Sequence, residues 1–238
     1  MGCPPLNGSS GGKPHGAPSN PTGEFGRRRS LSWRSFPATW QLGQWLSWGV
    51  TGYVSRWFKQ RGASVTAVDL FSQQLATAKR FAAQFQSEIT FIQSNAEATP
   101  LPNRCADIVV SEYGAAIWCD PYRWIPEAAR LLVPGGRLIF LGHSPWAMVC
   151  TDDDGEAVTN AMKRSYFELH RIDWTDAAID PGCIEFNLSL SKWFQLFREQ
   201  GFRLDDYLEI QAPMTKSPDQ FSTPWDWARA YPSEQVSS

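Results

Sequence analysis

The sequence predicts one α/β domain built on a doubly wound parallel sheet. Two observations carry this: short apolar strands alternate with amphipathic helices from residue 51 onward, and short connectors join them. A third is size, because 238 residues suffice for one such domain with a full core and are too few for two. The predicted organisation is an arm over residues 1–35, the domain over 36–215, and a C-terminal helix and tail over 216–238.

Residues 52–62 read as a short helix, with Val54, Trp57 and Phe58 on one face and Gly62 as its stop. Residues 63–69 form a β-branched strand that ends on Asp69. Residues 72–86 carry Leu75, Ala78, Ala82 and Phe85 at helical spacing, with Ser72 as the expected N-cap. Residues 88–93 and 106–111 are apolar strands suited to a sheet covered on both faces. Asp120-Pro121 opens the next helix, an acid at the cap and proline at the first turn, and Pro134-Gly135-Gly136 ends it. Residues 137–142 give a fifth strand. A variable stretch over 143–182 follows, then a late helix and a final strand pair that complete seven strands.

Composition narrows the partners. A formal net charge of −2 gives no global pull toward nucleic acid or membrane, and the Arg27-Arg28-Arg29 cluster reads as a solvated stretch. No apolar run spans a bilayer, and the Gly-, Pro- and Ser-rich start lacks the apolar centre of a secretory signal. That start has too little apolar surface to order itself, so disorder is expected. Five scattered cysteines without a CxxC pair suit a reducing, cytoplasmic setting with neither a disulfide framework nor a metal site. Oligomeric state is left open.

In an open parallel sheet, ligands bind beyond the carboxyl ends of the strands near the switch in strand order. Asp69 closes one such strand; its carboxylate can accept from two ribose hydroxyls, or simply serve a turn. The loop over 93–102 can line an adenine slot, or be an ordinary loop. Ser111-Glu112-Tyr113 follow the next strand, and His143 the one after; Glu112 and His143 are candidate bases, with solvated-acid and structural-histidine readings beside them.

Taken in order, Val65–Gln84 and Ile89–Ser144 resemble class I S-adenosylmethionine-dependent methyltransferases of the bacterial methyltransferase-domain family. The resemblance covers about two thirds of the chain and implies a Rossmann-like seven-stranded sheet. It puts the family's post-strand acid on Asp69, its D-A-E adenine loop on Asn95-Ala96-Glu97, and its L-x-P-G-G-x-L turn on Leu132–Leu138. The implied cofactor is S-adenosylmethionine, held by Thr51, Gly52, Tyr53, Asp69, Leu70, Asn95, Ala96, Glu97 and Ser111. Glu112 and His143 stand at the acceptor, a small molecule, and no metal is implied.

The chain departs from that pattern at its first strand and glycine-rich loop, which read as degenerate or missing, with a short strand around Leu42–Trp48 as a partial substitute. Residues 35–50 show no strand pattern, no acid occurs from Phe25 to Val68, and Trp33, Trp40, Trp45, Trp48 and Trp57 crowd together. Tryptophan is always TGG, glycine GGN and valine GTN. Reading Ser47–Val50 from the third base of each codon allows Leu-Gly-Cys-Gly to run into Thr51-Gly52, so the segment before Thr51 reads as a frame-shifted start. The functional expectation is methyl transfer to a small molecule, impaired by loss of that loop. The competing expectation is a non-catalytic remnant serving as an interaction module. A nicotinamide-dependent dehydrogenase fits poorly, lacking G-x-G-x-x-G.

Overall fold

The computed structural model describes residues 43–48, 53–155, 157–177, 182–216 and 223–238. Its core is a seven-stranded sheet in the order β3-β2-β1-β4-β5-β9-β8. Strands β1 (Gln44–Trp48), β2 (Ser64–Asp69), β3 (Thr90–Gln93), β4 (Ala106–Glu112) and β5 (Leu132–His143) run parallel. Strand β9 (Glu234–Ser237) lies antiparallel between β5 and β8 (Tyr207–Ile210). Strand order reverses at β1, so the crevice lies beyond the tips of β1 and β4.

β1 fills the central position despite the absence of a strand pattern in its sequence. A strand buried on both faces has no polar alternation to display. Trp45 turns to one face and packs on Phe58 with ring centroids 4.0 Å apart. Leu46 and Trp48 turn to the other, among Val68, Val109 and Trp124. The strand's entry is pinned by Asp107, whose Oδ2 accepts from Gln44 N at 2.7 Å.

Helices cover both faces. α1 (Tyr53–Lys59) and α2 (Ser72–Gln84) pack on the side of Trp45, Val65 and Ala67. α3 (Ala115–Trp118), α4 (Pro121–Leu131) and α6 (Leu190–Glu199) pack on the other, where Trp124, Phe140 and Trp193 meet edge to face or tilted. Between β5 and α6 lie α5 (Pro145–Cys150) and a two-stranded hairpin, β6 (Arg171–Asp173) with β7 (Ile184–Phe186), which caps α3. The short α7 (Trp225–Ala230) precedes β9.

Three local expectations change. The N-cap of α2 is Phe71 rather than Ser72, so the helix starts one residue earlier, and the Asp69 carboxylate takes the Phe71 N–H at 2.8 Å. Residues 184–186 form the second strand of the cap hairpin. The stretch after residue 216, read as helix and tail, contains β9, which inserts into the sheet and supplies its seventh strand. Cys183 is disulfide-bonded, where no disulfide was expected, while Cys105, Cys119 and Cys150 are free.

The Pro-Gly-Gly turn has a steric reason. Gly135 sits at φ 79°, and a Cβ on Gly136 would lie 2.9 Å from the Val133 carbonyl oxygen and 3.0 Å from that of Asp107. Both obstacles are backbone, so they yield only by moving β4 or β5. We expect Gly136→Ala to cost about 1–3 kcal/mol, the usual range for overpacking, read as a lower urea midpoint. An unchanged midpoint contradicts this close approach.

Candidate functional site

The parallel strands deliver Trp48, Asp69, Gln93, Glu112 and His143 to one end of the sheet as the last residues of β1 to β5. Asp69 and Gln93 are register partners. Ser94 N donates to the Asp69 carbonyl at 3.0 Å and Gln93 Nε2 to the Leu70 carbonyl at 3.2 Å, tying the two tips together. The side chain of Leu70 is 45% exposed beside them. The sugar-binding and purine-facing candidates therefore occupy neighbouring strand tips.

The loop after β3 is held by its own carboxylates and amide. Asn95 Oδ1 accepts from Glu97 N at 2.9 Å, and Ala96 packs against the core. Glu97 accepts from Asp120 N at 2.9 Å and pairs with Arg123 at 3.2 Å, which fastens the loop to the start of α4. Asp120 caps α4 by accepting from Tyr122 N at 3.0 Å. Farther along, buried Glu127 accepts from Thr99 N, Thr99 Oγ1 and both Arg130 Nε and Nη2, at 2.7–2.8 Å. Arg130 also reaches the Leu101 carbonyl at 2.9 Å. Burial pushes the Glu127 carboxyl up, but the Arg130 and Thr99 hydrogen bonds outweigh it and hold the group below the ordinary carboxylate range.

Cys119 reports the charge of this crevice. Its Sγ lies 4.0 Å from Asn95 Oδ1. Burial first, then the fields of Glu97 and Asp69, push the thiol up to about 12. A thiol so placed stays protonated at neutral pH, so alkylation of Cys119 by iodoacetamide at pH 8 should run roughly 100-fold or more slower than that of a free thiol. Peptide mapping checks this; fast labelling argues against a buried, acid-lined pocket.

The strand-tip segment after β4 is strained. Tyr113 adopts φ 53° and Gly114 φ 43°. Ser111 is buried and commits its hydroxyl to this turn, donating to the Tyr113 carbonyl at 2.8 Å and accepting from Ala116 N at 3.2 Å. Glu112 is half-buried at the end of β4. The Tyr113 hydroxyl donates to Glu234, and its ring lies 5.5 Å from that of His143. His143 Nδ1 meets Glu185 Oε1 at 2.7 Å, while Trp174 Nε1 donates to Glu185 Oε2 at 3.0 Å. Asn187 Nδ2 donates to the His143 carbonyl at 2.8 Å. Near the purine loop, His170 Nε2 meets Asp120 Oδ1 at 3.0 Å, a second histidine–carboxylate contact, here to the start of α4.

The expected site residues are thus largely brought together. Asp69, Leu70, Asn95, Ala96 and Glu97 gather at the tips of β2 and β3, with Ser111, Glu112 and His143 at those of β4 and β5. Thr51 and Gly52 lie outside the described residues, and Tyr53 begins α1. Of the aromatic residues on α3, α4 and α5, Trp118 and Tyr122 are exposed, Trp146 stacks on Tyr166, and Trp124 is fully buried core. Glu185, Cys119 and Glu127 were missed by sequence reasoning, and only the helical stripe of α4 hinted at the last. A cavity of about 630 Å³ lies within the cap and is lined by Asp153, Arg164, Glu168, His170 and Arg171 among others, but by none of the strand tips. No group of three or more His, Cys, Asp or Glu among the described residues is arranged to hold a metal. No helix among them is long and apolar enough to cross a membrane.

Residues 46–140 match the model of the methyltransferase domain family. Among curated relatives, the chain is 29% identical over 132 residues to a malonyl-[acyl-carrier protein] O-methyltransferase of Pectobacterium atrosepticum, covering 55% of this chain and 49% of that protein. It is 34% identical over 97 residues to a demethylmenaquinone methyltransferase of Thermus thermophilus, covering 40% of this chain and 44% of the relative. The chain thus spans half or less of the length of these relatives. A solved structure from Listeria monocytogenes, described as S-adenosylmethionine dependent, superposes with TM-score 0.66 at 18% identity, over 82% of this chain and 88% of that one. Residues 46–140 thus match a methyltransferase domain, and the chain shares its fold with the solved structure.

Proposed function

We propose that this protein transfers a methyl group from S-adenosylmethionine to a small-molecule acceptor. The single observation that carries the reading is the acidic crevice in which Asp69 and the Asn95–Glu97 loop sit at hydrogen-bonded neighbouring strand tips. The donor set fits the cofactor. Asp69 offers acceptors to the ribose hydroxyls, Leu70 an apolar face, and the 95–97 loop amide and backbone groups to the purine. The carboxylates of Glu97, Asp69 and Asp120, which add to burial in keeping the Cys119 thiol neutral, also suit a positively charged sulfonium. The cofactor supplies an electrophilic methyl group.

What the chain contributes is placement. Near-attack geometry is worth several powers of ten in rate, and Glu112 and His143 stand beside the acceptor position as candidate bases. Thr51, Gly52 and Tyr53 complete the cofactor set in this reading. The sequence before Thr51 lacks the family's glycine loop, so affinity is expected to fall below that of relatives that keep it. Sequencing the gene across codons 24–55 tests the frame-shifted origin of that segment. Calorimetric titration with S-adenosylhomocysteine tests the function: micromolar binding is expected, and no heat at millimolar ligand contradicts it.

A further inference from the structure

We infer that Asn95 sets the base selectivity of the cofactor site: it offers the purine an amide N–H, so ring nitrogens are read and the exocyclic amine is not. Nucleosides that lack that amine are then held as readily as the adenosyl form. This deepens the methyl-transfer reading and rests on it.

The orientation of the amide follows from its neighbours. Asn95 Oδ1 accepts from Glu97 N at 2.9 Å, the bond that turns the loop. The same atom lies 4.0 Å from Cys119 Sγ, within reach of a thiol hydrogen bond. That thiol is a steady donor, because burial and then the fields of Glu97 and Asp69 keep its proton in place. Two donors on one atom identify it as the carbonyl oxygen and occupy both its lone pairs. Nδ2 is therefore the outward end of an exposed side chain, and it has no partner among the described residues.

A purine set against this loop offers two kinds of edge atom. Its ring nitrogens accept hydrogen bonds, and its exocyclic amine donates them. An amide N–H matches the first and opposes the second. The one carboxylate of the loop does not compensate: Glu97 gives one oxygen to Asp120 N and the other to Arg123. An aspartate at position 95 would reverse the reading. One of its oxygens would still serve Glu97 N, and the second would take the amine in a charge-assisted bond. Asn95 thus changes what is read without changing how the loop is built. The nearby fields of Glu97, Asp69 and Asp120 act alike on two purines that differ by one neutral amine, so comparing such ligands isolates the side-chain contact.

The test titrates the full chain with S-adenosylhomocysteine and with its analogue carrying hydrogen in place of the purine amine. The wild-type chain is expected to bind the analogue within threefold of S-adenosylhomocysteine, or more tightly. Asn95→Asp should favour S-adenosylhomocysteine by about 10- to 100-fold, the range for a hydrogen bond to a charged acceptor. A merely structural role for Asn95 would move both affinities together and leave their ratio alone. Asn95→Ser keeps an oxygen for the loop and drops the amide, so it should weaken both ligands about threefold or more. It decides the matter with the wild type where a melt shows Asn95→Asp to be unfolded. A wild-type preference for S-adenosylhomocysteine above threefold overturns the proposal. So does a preference below tenfold in folded Asn95→Asp, or unchanged affinity for both ligands in Asn95→Ser. Failure of the wild-type chain to bind either ligand instead sinks the methyl-transfer reading itself.

Discussion

Asp69→Ala is expected to weaken S-adenosylhomocysteine binding by about 30- to 150-fold, or about 2–3 kcal/mol. The reason is that hydrogen bonds from two ribose hydroxyls to a carboxylate are worth that much when the acceptor is charged. The fold should hardly notice. Asp69 is half-exposed, and its one described side-chain bond is to Phe71 N at the start of α2, a cap-like contact worth about 1 kcal/mol. Calorimetry on the variant, paired with a thermal melt, separates the two effects. Affinity within threefold of the wild type would return Asp69 to the role of a turn aspartate.

Glu127→Ala should destabilise the domain by about 3 kcal/mol, because it strands the Arg130 guanidinium and the Thr99 N–H and hydroxyl that the carboxylate now gathers. The loss is not confined to stability. Arg130 and Thr99 belong to the network that pins residues 99–103 to α4, and the purine-facing loop runs directly into that stretch. S-adenosylhomocysteine affinity should fall with it. The pH dependence has a definite sign. Because the folded carboxyl titrates below its unfolded value, its contribution is complete above the ordinary carboxylate range and disappears as pH falls through the lowered folded value. Urea midpoints measured from pH 7 downward should therefore drop on the acid side in the wild type, and drop less in Glu127→Gln. Equal acid limbs in the two proteins would contradict the pairing.

The parts of this molecule that were legible in its sequence are those where local chemistry and global fold agree. Asp120-Pro121 begins α4 with a cap bond that the residue types announce, and Asp69 ends a strand whose β-branched run is plain. The centre of the sheet was legible only as a short substitute strand around residues 42–48, for a physical reason. A strand covered on both faces needs only apolar bulk, so Gln44–Trp48 looks like nothing in particular until β2 and β4 pair with it. β9 was hidden similarly: its polar residues Glu234 and Gln235 are buried through bonds to Tyr113 and Tyr207, partners more than 25 positions away. The histidine at the end of β5 could be named from its place after a strand. Its partner could not, since Glu185 reaches it across 42 positions through a cap that carries no motif.

Amide hydrogen exchange with and without S-adenosylhomocysteine tests the central claim most directly. A nucleoside held across the tips of β2 and β3 should slow exchange in residues 69–72 and 94–98 and leave the far edge at β8 unchanged. Protection confined to that far edge, or to the cap cavity around Arg164 and Arg171, would contradict it.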